Sequence, residues 1–465
     1  MTSSTRPFDI LIYGATGFAG KHVVNHLLSN HPELKIAIAG RNKSKLEQLA
    51  SDFNSNLANN DSTTTNIIQP NQILVASSSN KHELIEILSQ AKICLACAGP
   101  YRHVGRNIVE AAIEANTDYL DLCGEPQFFD DMLTSYDSMA REKKVLVISA
   151  CAFDCVPSEM CYQFASRELL KKYNNNSEDD DDKTKVVVTN VEIVHTFQGI
   201  KRVNATTFHA AVDGFHASYN GELKASRNKV KQCFPELQDI LSSQKTPSTW
   251  KKFIATPSMT SPLYHKLTNS YLLKFMGADA SCILSSDRYL RLRANDTQQH
   301  PLPPKPHLSV CFGLPQKSHA YKFLAYGGLF STLAKWSWGC KVLHANPEFF
   351  TNGFFTSKGP TEEDLKDGQF ATFGTAYGLT REQNVTVKFS GGEPGYVETS
   401  SMMSALAMTV LQNRDKLKFD GGVMLPGAAF IDCDVVFDHL RKEGLQIDVV
   451  DINQNGDIAS NEEKV

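Results

Sequence analysis

Through its first 150 residues the chain alternates short apolar, β-rich runs with segments whose apolar positions recur at helical spacing. That alternation is the signature of parallel β-α-β units. It predicts strands over residues 8–13, 35–39, 72–75, 93–98, 119–122 and 145–149, and helices over 18–29, 44–53, 82–89, 105–115 and 127–142. The first fold element expected is therefore a six-stranded, doubly wound parallel sheet of the α/β class. From residue 186 the pattern changes to longer strands and irregular segments, with strands expected over 186–198, 289–293 and 308–312. This reads as a second, α+β domain. Later come apolar runs at 385–390 and 395–397, a helical pattern at 399–413, a Gly/Pro turn region, a helix at 434–443 and a strand at 445–450.

Two low-complexity insertions interrupt the order. Residues 54–66 are rich in Asn, Ser and Thr, and residues 174–185 hold the acid run from Asp179 to Asp182. Neither holds enough apolar surface to fold on its own, so both read as solvated loops.

The sharpest chemistry lies at the first strand–helix turn, Gly14-Ala15-Thr16-Gly17-Phe18-Ala19-Gly20. Glycines there let backbone N–H groups approach a pyrophosphate at the positive end of the following helix. The spacing is G-x-x-G-x-x-G, and its specificity comes from its place after the first strand; a purely structural glycine turn is the competing reading. The second strand ends in Gly40-Arg41, where an NAD-type site places an acidic residue on the ribose hydroxyl. A guanidinium at Arg41 instead suits a 2′-phosphate, favouring NADP(H) over NAD(H).

After the fourth strand, Gly99, Pro100 and Tyr101 stand at the carboxyl edge where a nucleotide crevice opens. Gly99 and Pro100 complete the cofactor-binding candidates, and Tyr101 is a candidate proton donor. Asp121, Glu125 and Asp154 follow the fifth and sixth strands on the same rim, and Asp154 is the candidate for orienting substrate. Helix capping explains any one of these carboxylates equally well. Cys123 and Cys155 read as small buried residues rather than nucleophiles.

Composition narrows the partners. The 47 Lys and Arg against 51 Asp and Glu give a net charge of −4 with no basic stripe, which argues against nucleic acid and for a small or apolar ligand. Eleven cysteines without a short repeat read as reduced intracellular thiols. The Cys94-x-x-Cys97 pair falls inside an apolar strand with no second pair nearby, so no metal is expected. The N-terminus lacks the pattern of a signal peptide, and no uncharged apolar run reaches the roughly 18 residues of a membrane span.

Taken together, the residues from Gly14 to Gly20, Ala39-Gly40-Arg41, Gly99-Pro100-Tyr101, Asp121 to Glu125, Phe153-Asp154 with Pro157, and the stretch from Gly421 to Ala429 resemble the saccharopine dehydrogenase-like oxidoreductases, relatives of saccharopine reductase. The chain departs from that pattern at Ala152, where glycine is usual, and at Glu159, where a shorter Asp is common. The resemblance implies a Rossmann NADP-binding domain over 1–155 and an α+β substrate and dimerisation domain over 156–395. It further implies a segment, 396–450, that returns to the first domain, with 451–465 left as a disordered tail. It implies NADP(H)-dependent hydride transfer to or from an imine, carbonyl or enoyl group.

The branch most resembled is associated with membranes and lipid droplets and is similar to trans-acting enoyl reductases of glycolipid synthesis. A lipid substrate, a lipid-droplet or membrane surface, otherwise the cytoplasm, and a homodimer are therefore open. A catalytically inactive nucleotide-sensing or lipid-surface scaffold is the alternative. A dicarboxylic substrate would call for paired cations; Lys201-Arg202 and Arg291 with Arg293 are candidates, with surface solvation the simpler role for each. Residues 321–355 hold ten aromatics, including Trp336 and Trp338, interleaved with Lys322, Lys335 and Lys341. Such a segment suits a helix lying on lipid, a greasy substrate mouth, or a buried core or dimer interface. Residues 451–462 match an EF-hand loop at several positions, but a strand precedes them and no exiting helix follows, so calcium is not expected.

Overall fold

A computed structural model describes residues 6–59, 67–174, 185–258, 260–294 and 302–450. The acid run at 179–182, most of the Asn-rich insertion and the EF-hand-like segment lie outside the described residues. The chain divides into two units. One comprises the chain up to Val156 together with Gly395–Gly444; the other comprises Pro157–Pro394 together with the chain from Leu445.

The first unit runs β1 (Phe8–Tyr13), α1 (Phe18–Asn30), β2 (Ile36–Gly40), α2 (Lys43–Asn59), β3 (Ile73–Val75), α3 (Lys81–Leu88), β4 (Ala91–Ala96), α4 (Tyr101–Glu114), β5 (Asp118–Asp121), α5 (Pro126–Glu142) and β6 (Leu146–Ile148). Strand β1 lies at the centre, parallel to β2 through Ile10 opposite Ile36 and to β4 through Ile10 opposite Ile93. Ile10, Leu11 and Ile12 are fully buried, with no polar alternation along the strand. Helices on both faces of a parallel sheet produce that continuous apolar run.

Helix α4 starts a turn earlier than the apolar spacing predicts. Glu125, from the loop after β5, accepts the Tyr101 N–H at 3.0 Å and pairs with the Arg102 guanidinium at 2.8 Å. A carboxylate supplied from a different loop thus satisfies the first turn, which local sequence cannot reveal.

The chain passes into the second unit at the start of α6 (Val156–Asn174). That unit continues with β7 (Asn190–Gln198), β8 (Val203–Asn204), α7 (Ala205–Tyr219), α8 (Glu222–Cys233), α9 (Glu236–Ser243), β9 (Leu263–His265), β10 (Ser270–Lys274), α10 (Asp279–Ala294) and β11 (His307–Leu314). There follow α11 (Lys317–Ala334), α12 (Ser337–Ala345), α13 (Pro347–Phe350), β12 (Phe355–Thr356), α14 (Glu362–Asp367), β13 (Gln369–Tyr377) and β14 (Asn384–Gly391). Strands β7 and β11 are parallel and the remaining neighbours in their sheet are antiparallel, while β8 and β12 form a separate pair.

The strand expected over 289–293 is instead the end of α10. Tyr-Leu-Arg-Leu-Arg alternates like a strand, but Arg291 pairs with Asp287 one helical turn earlier, at 2.8 Å, and both Arg291 and Arg293 are buried. The helical i,i+4 pairing decides against the period-two pattern. The run at 395–397 is not a strand either, since Tyr396 caps the next helix, and β13 has no counterpart among the expected strands.

The chain then returns with α15 (Val397–Gln412), β15 (Gly422–Met424), α16 (Pro426–Ala429) and α17 (Val435–Lys442), before β16 (Gln446–Val450). Strand β15 comes from the expected Gly/Pro turn region and pairs in parallel with β6, Gly422 opposite Leu146. Among the described residues the first sheet therefore has seven strands, in the order β15-β6-β5-β4-β1-β2-β3, rather than six. Strand β16 departs from the expected return of 396–450: it pairs with β14, Phe389 opposite Ile447, at the edge of the second sheet.

Helix α15 packs on α1, β4 and α17 and is buried along nearly its whole length despite five hydroxyl side chains. Its chemistry permits this because Ser400 and Thr409 each donate to the carbonyl four residues back, at 2.7 Å.

Candidate functional site

The first sheet reverses its strand order between β1 and β4, and the loops leaving those two strands meet there. In open α/β sheets that switch point is where a ligand crevice forms. Gly14 has φ +83°, and a Cβ placed on it would stand 2.8 Å from both the Cβ and the N of Ala98. Gly20 serves a different purpose: a Cβ there would lie 2.3 Å from the Gly14 carbonyl, so α1 can pack against the turn only without a side chain.

Gly17 is the N-cap of α1 and donates its N–H to the Gly14 carbonyl at 2.9 Å. No side chain caps this helix end, so its first amides are available to an anion. Ala15 is buried under the turn, Thr16, Phe18 and Ala19 are half-buried, and Gly17, Gly99 and Pro100 are exposed. The Gly99–Pro100 peptide is cis. Arg41 is exposed after β2 and has no ion pair among the described residues.

Tyr101 departs from the expected role of proton donor. Its hydroxyl donates to the Ala96 carbonyl at 2.7 Å and accepts the Leu122 N–H at 3.1 Å, tying the end of β4 to the loop after β5. The side chain is buried, and burial, with help from Asp121, holds the phenol well above its ordinary pKa. Tyr101 is a strut.

Asp121 is likewise internal. Its carboxylate accepts the N–H groups of Cys123 and Ala150 and the Ser149 hydroxyl, each at 2.9 Å. Burial raises its pKa to about 6 against those hydrogen bonds. The bond to Ala150 holds that residue at φ +64°, a left-handed conformation costly for a residue with a side chain, and so shapes the loop after β6. Asp154 is the exposed carboxylate of the three, with its Oδ2 3.0 Å from where a Cβ on Gly124 would be.

Cys94, Cys97 and Cys123 are thiols whose pKa burial raises, Cys97 to about 12, which makes them poor nucleophiles and poor metal ligands. Nine of the eleven cysteines are free, and among the described residues no cluster of His, Cys, Asp and Glu could hold a metal ion.

The returning segment adds a residue that sequence reading did not anticipate. The Tyr396 ring packs edge-on against Phe18 at 4.6 Å and lies 5.6 Å from His22, beside the glycine turn. Phe153 donates its N–H to Thr399 at 3.3 Å, so α15 also fixes the loop that carries Asp154. A Gly-Tyr step before an apolar helical run carries no local signal for this.

In the second unit none of the four expected clamp cations is available for a dicarboxylate. Lys201 pairs with Asp367 at 2.6 Å and Arg202 with Asp364 at 2.8 Å, while Arg291 and Arg293 are interior rather than solvated. The same unit buries Ser158, His195, Asp279 and Thr372 completely. His195 Nδ1 lies 2.8 Å from the Thr372 hydroxyl, its Nε2 is 3.1 Å from Ser158 and 3.2 Å from Asp279, and Ser158 also donates to Asp279. Sealed from solvent, this quartet ties α6, β7, α10 and β13 together rather than meeting a substrate.

The aromatic segment is covered on one side only. Phe208 and Val212 of α7 form a small core with Ala334, Cys340 and Leu343. The other side leaves Phe323, Tyr326, Leu329, Trp336, Trp338 and Phe349 exposed. No helix among the described residues is long and apolar enough to cross a membrane.

Comparison with known proteins agrees with this geometry. Residues 10–148 match the model of the saccharopine dehydrogenase NADP binding domain. A saccharopine dehydrogenase-like oxidoreductase of Mus musculus is 28% identical, with 97% of this chain and 99% of that protein covered. The lipid droplet localized protein of Caenorhabditis elegans is 25% identical, with 94% and 97% covered. A trans-acting enoyl reductase of Mycobacterium ulcerans is 33% identical over 167 residues, 34% of this chain and 36% of that protein. Residues 10–148 thus form an NADP-binding domain of the saccharopine dehydrogenase type, and nearly the whole chain is similar to saccharopine dehydrogenase-like oxidoreductases.

Proposed function

We propose that the protein moves a hydride between NADP(H) and an imine, carbonyl or enoyl group of a lipid-related substrate, while resting on a lipid surface. The observation that carries the nucleotide half is the meeting of Gly14 with Ala98 at the sheet's switch point, a cradle that any side chain would fill. In this reading the uncapped amides of Phe18, Ala19 and Gly20 receive the pyrophosphate, with Ala15, Thr16 and Gly17 forming the turn beneath it. Arg41 pairs with the 2′-phosphate, as its exposure and lack of an ion pair allow. Gly99 and Pro100 line the nicotinamide side. Bound NADPH supplies the hydride; the protein supplies binding and orientation.

Asp154, exposed at the rim of the crevice, is the group proposed to orient the substrate. The absence of free cations among the four expected clamp residues disfavours a dicarboxylic amino acid. The exposed aromatics of α11 and α12 favour an apolar substrate delivered from a lipid surface. That the worm relative is named for lipid droplets and the bacterial one for enoyl reduction supports the same choice.

The test is transfer of label from 4-deuterated NADPH to imine, keto and enoyl lipids and to saccharopine-type imines. Label in an enoyl or keto lipid is expected. Tight NADPH binding with no transfer to any of them would favour the scaffold reading instead.

A further inference from the structure

We infer that the groove between α7 and α8 takes the phosphate headgroup of an anionic phospholipid, and that it orients the aromatic helices on a charged lipid surface. The inference rests on the peripheral lipid reading above and specifies its chemistry.

Helix α8 carries Lys224, Arg227, Lys229 and Lys231 against a single acid, Glu222. Lys224, Arg227 and Lys231 recur at three- and four-residue spacing, so they share one helix face. That face lines an open groove of about 310 Å3 with Ser218, Leu223 and Asn228. The volume is at the low end of the roughly 300–1,000 Å3 of small-molecule sites, enough for a headgroup but not for acyl chains. Elsewhere in the unit the cations Lys201, Arg202 and Arg291 each hold a carboxylate. Lys224, Arg227 and Lys231 hold none among the described residues; Arg227 approaches the Ser281 hydroxyl at 3.5 Å. Three cations converging on a groove without acidic partners are complementary to a phosphate.

The groove is continuous with the aromatic face. Ser218 of the groove precedes Tyr219, whose hydroxyl is hydrogen-bonded to Ser331 of α11 and whose ring lies 5.3 Å beneath the Lys335 ammonium. Helix α11 packs through Ala334 on α7 and through Ala320 on β10 and β11, and leaves Phe323, Tyr326 and Leu329 exposed on its other side. Aromatic side chains set beside basic ones fit a lipid–water boundary, where rings enter the acyl edge and cations meet headgroups. A protein partner would cover the aromatics but would leave the cationic groove unexplained.

The experiment is flotation of the full chain with phosphatidylcholine vesicles, with and without phosphatidylserine. It compares the wild type with the triple variant Lys224→Ser, Arg227→Ser, Lys231→Ser and with the double variant Trp336→Ser, Trp338→Ser. At about a factor of five per cation near an anionic surface, the triple variant should bind phosphatidylserine vesicles about 100-fold more weakly while keeping wild-type binding to phosphatidylcholine. The double variant should lose both. A triple variant that binds phosphatidylserine vesicles as the wild type does overturns the proposal, as does a wild type that ignores phosphatidylserine. Suppression of the phosphatidylserine increment by inorganic phosphate at matched ionic strength supports the groove, while equal suppression by chloride alone makes the attraction non-specific and overturns it. A wild type that floats with neither vesicle overturns the peripheral reading itself. An unchanged thermal shift with NADPH shows that each variant is folded.

Discussion

Gly14 and Ala98 approach so closely that a Cβ on the glycine would stand 2.8 Å from the alanine Cβ and from its backbone nitrogen. Two loops, one leaving β1 and one leaving β4, meet there only because residue 14 has no side chain. The Gly14→Ala variant combines that overlap with a left-handed φ that costs roughly 1–2 kcal/mol for a residue with a Cβ. We expect a lower melting temperature and loss of NADPH binding by calorimetry. An alanine variant that binds NADPH as the wild type does would show that the turn is not the cradle.

Tyr101→Phe removes a hydroxyl that bridges Ala96 and Leu122. It leaves a carbonyl and an N–H without their partner, so unfolding by urea should show a loss of about 1–3 kcal/mol. A proton donor would behave otherwise: its removal would spare stability and abolish turnover. A fully stable, inactive phenylalanine variant would return Tyr101 to the chemistry.

Glu443, next to the end of α17, accepts hydrogen bonds from His26 and His31 near the end of α1, each at 2.6 Å. Burial pushes its carboxyl up, but the two imidazole hydrogen bonds outweigh burial and hold it at about 2, below the ordinary 4.5. His31 is raised above 6.5 by the same hydrogen bond, against burial. The depressed carboxyl stabilises the fold above pH 4.5 and loses that effect as pH falls through 2. The raised imidazole stabilises it below pH 6.5 and loses that effect as pH rises through the folded value. The melting-temperature gap between the wild type and Glu443→Gln should therefore be widest between those two ordinary values and narrow on both sides. A gap independent of pH would contradict the pairing.

Much of the first unit was legible in the sequence because its signals are local. Apolar runs around Ile10, Ile38 and Leu95 mark buried parallel strands, and the seven residues from Gly14 to Gly20 sit at the expected turn. What escaped depends on partners far along the chain. Strand β15 is three residues long and exists because β6 offers it an edge. The start of α4 depends on Glu125, and the roles of Tyr101 and Asp121 depend on which carbonyls and amides lie within reach after folding. Tyr396 meets Phe18 across more than 370 residues of chain, a contact no local pattern encodes. In the second unit, the alternation at 289–293 was overridden by the Asp287–Arg291 pair within a helix.

Arg41 stands alone after β2, without a carboxylate among the described residues. If it reads the 2′-phosphate, Arg41→Ala should weaken NADPH by about 1.5–3 kcal/mol, the scale of a hydrogen bond to a charged group, and leave NADH unchanged. Equal losses for both cofactors in calorimetric titration would remove that assignment.

The most direct test of the nucleotide assignment is thermal unfolding of the wild-type protein with saturating NADPH or NADH. A ligand that binds only the folded state raises its stability by mass action, by about 2.7 kcal/mol at a hundred times its dissociation constant. The account predicts a clear rise in melting temperature with NADPH and a smaller one with NADH. No rise with either would contradict it.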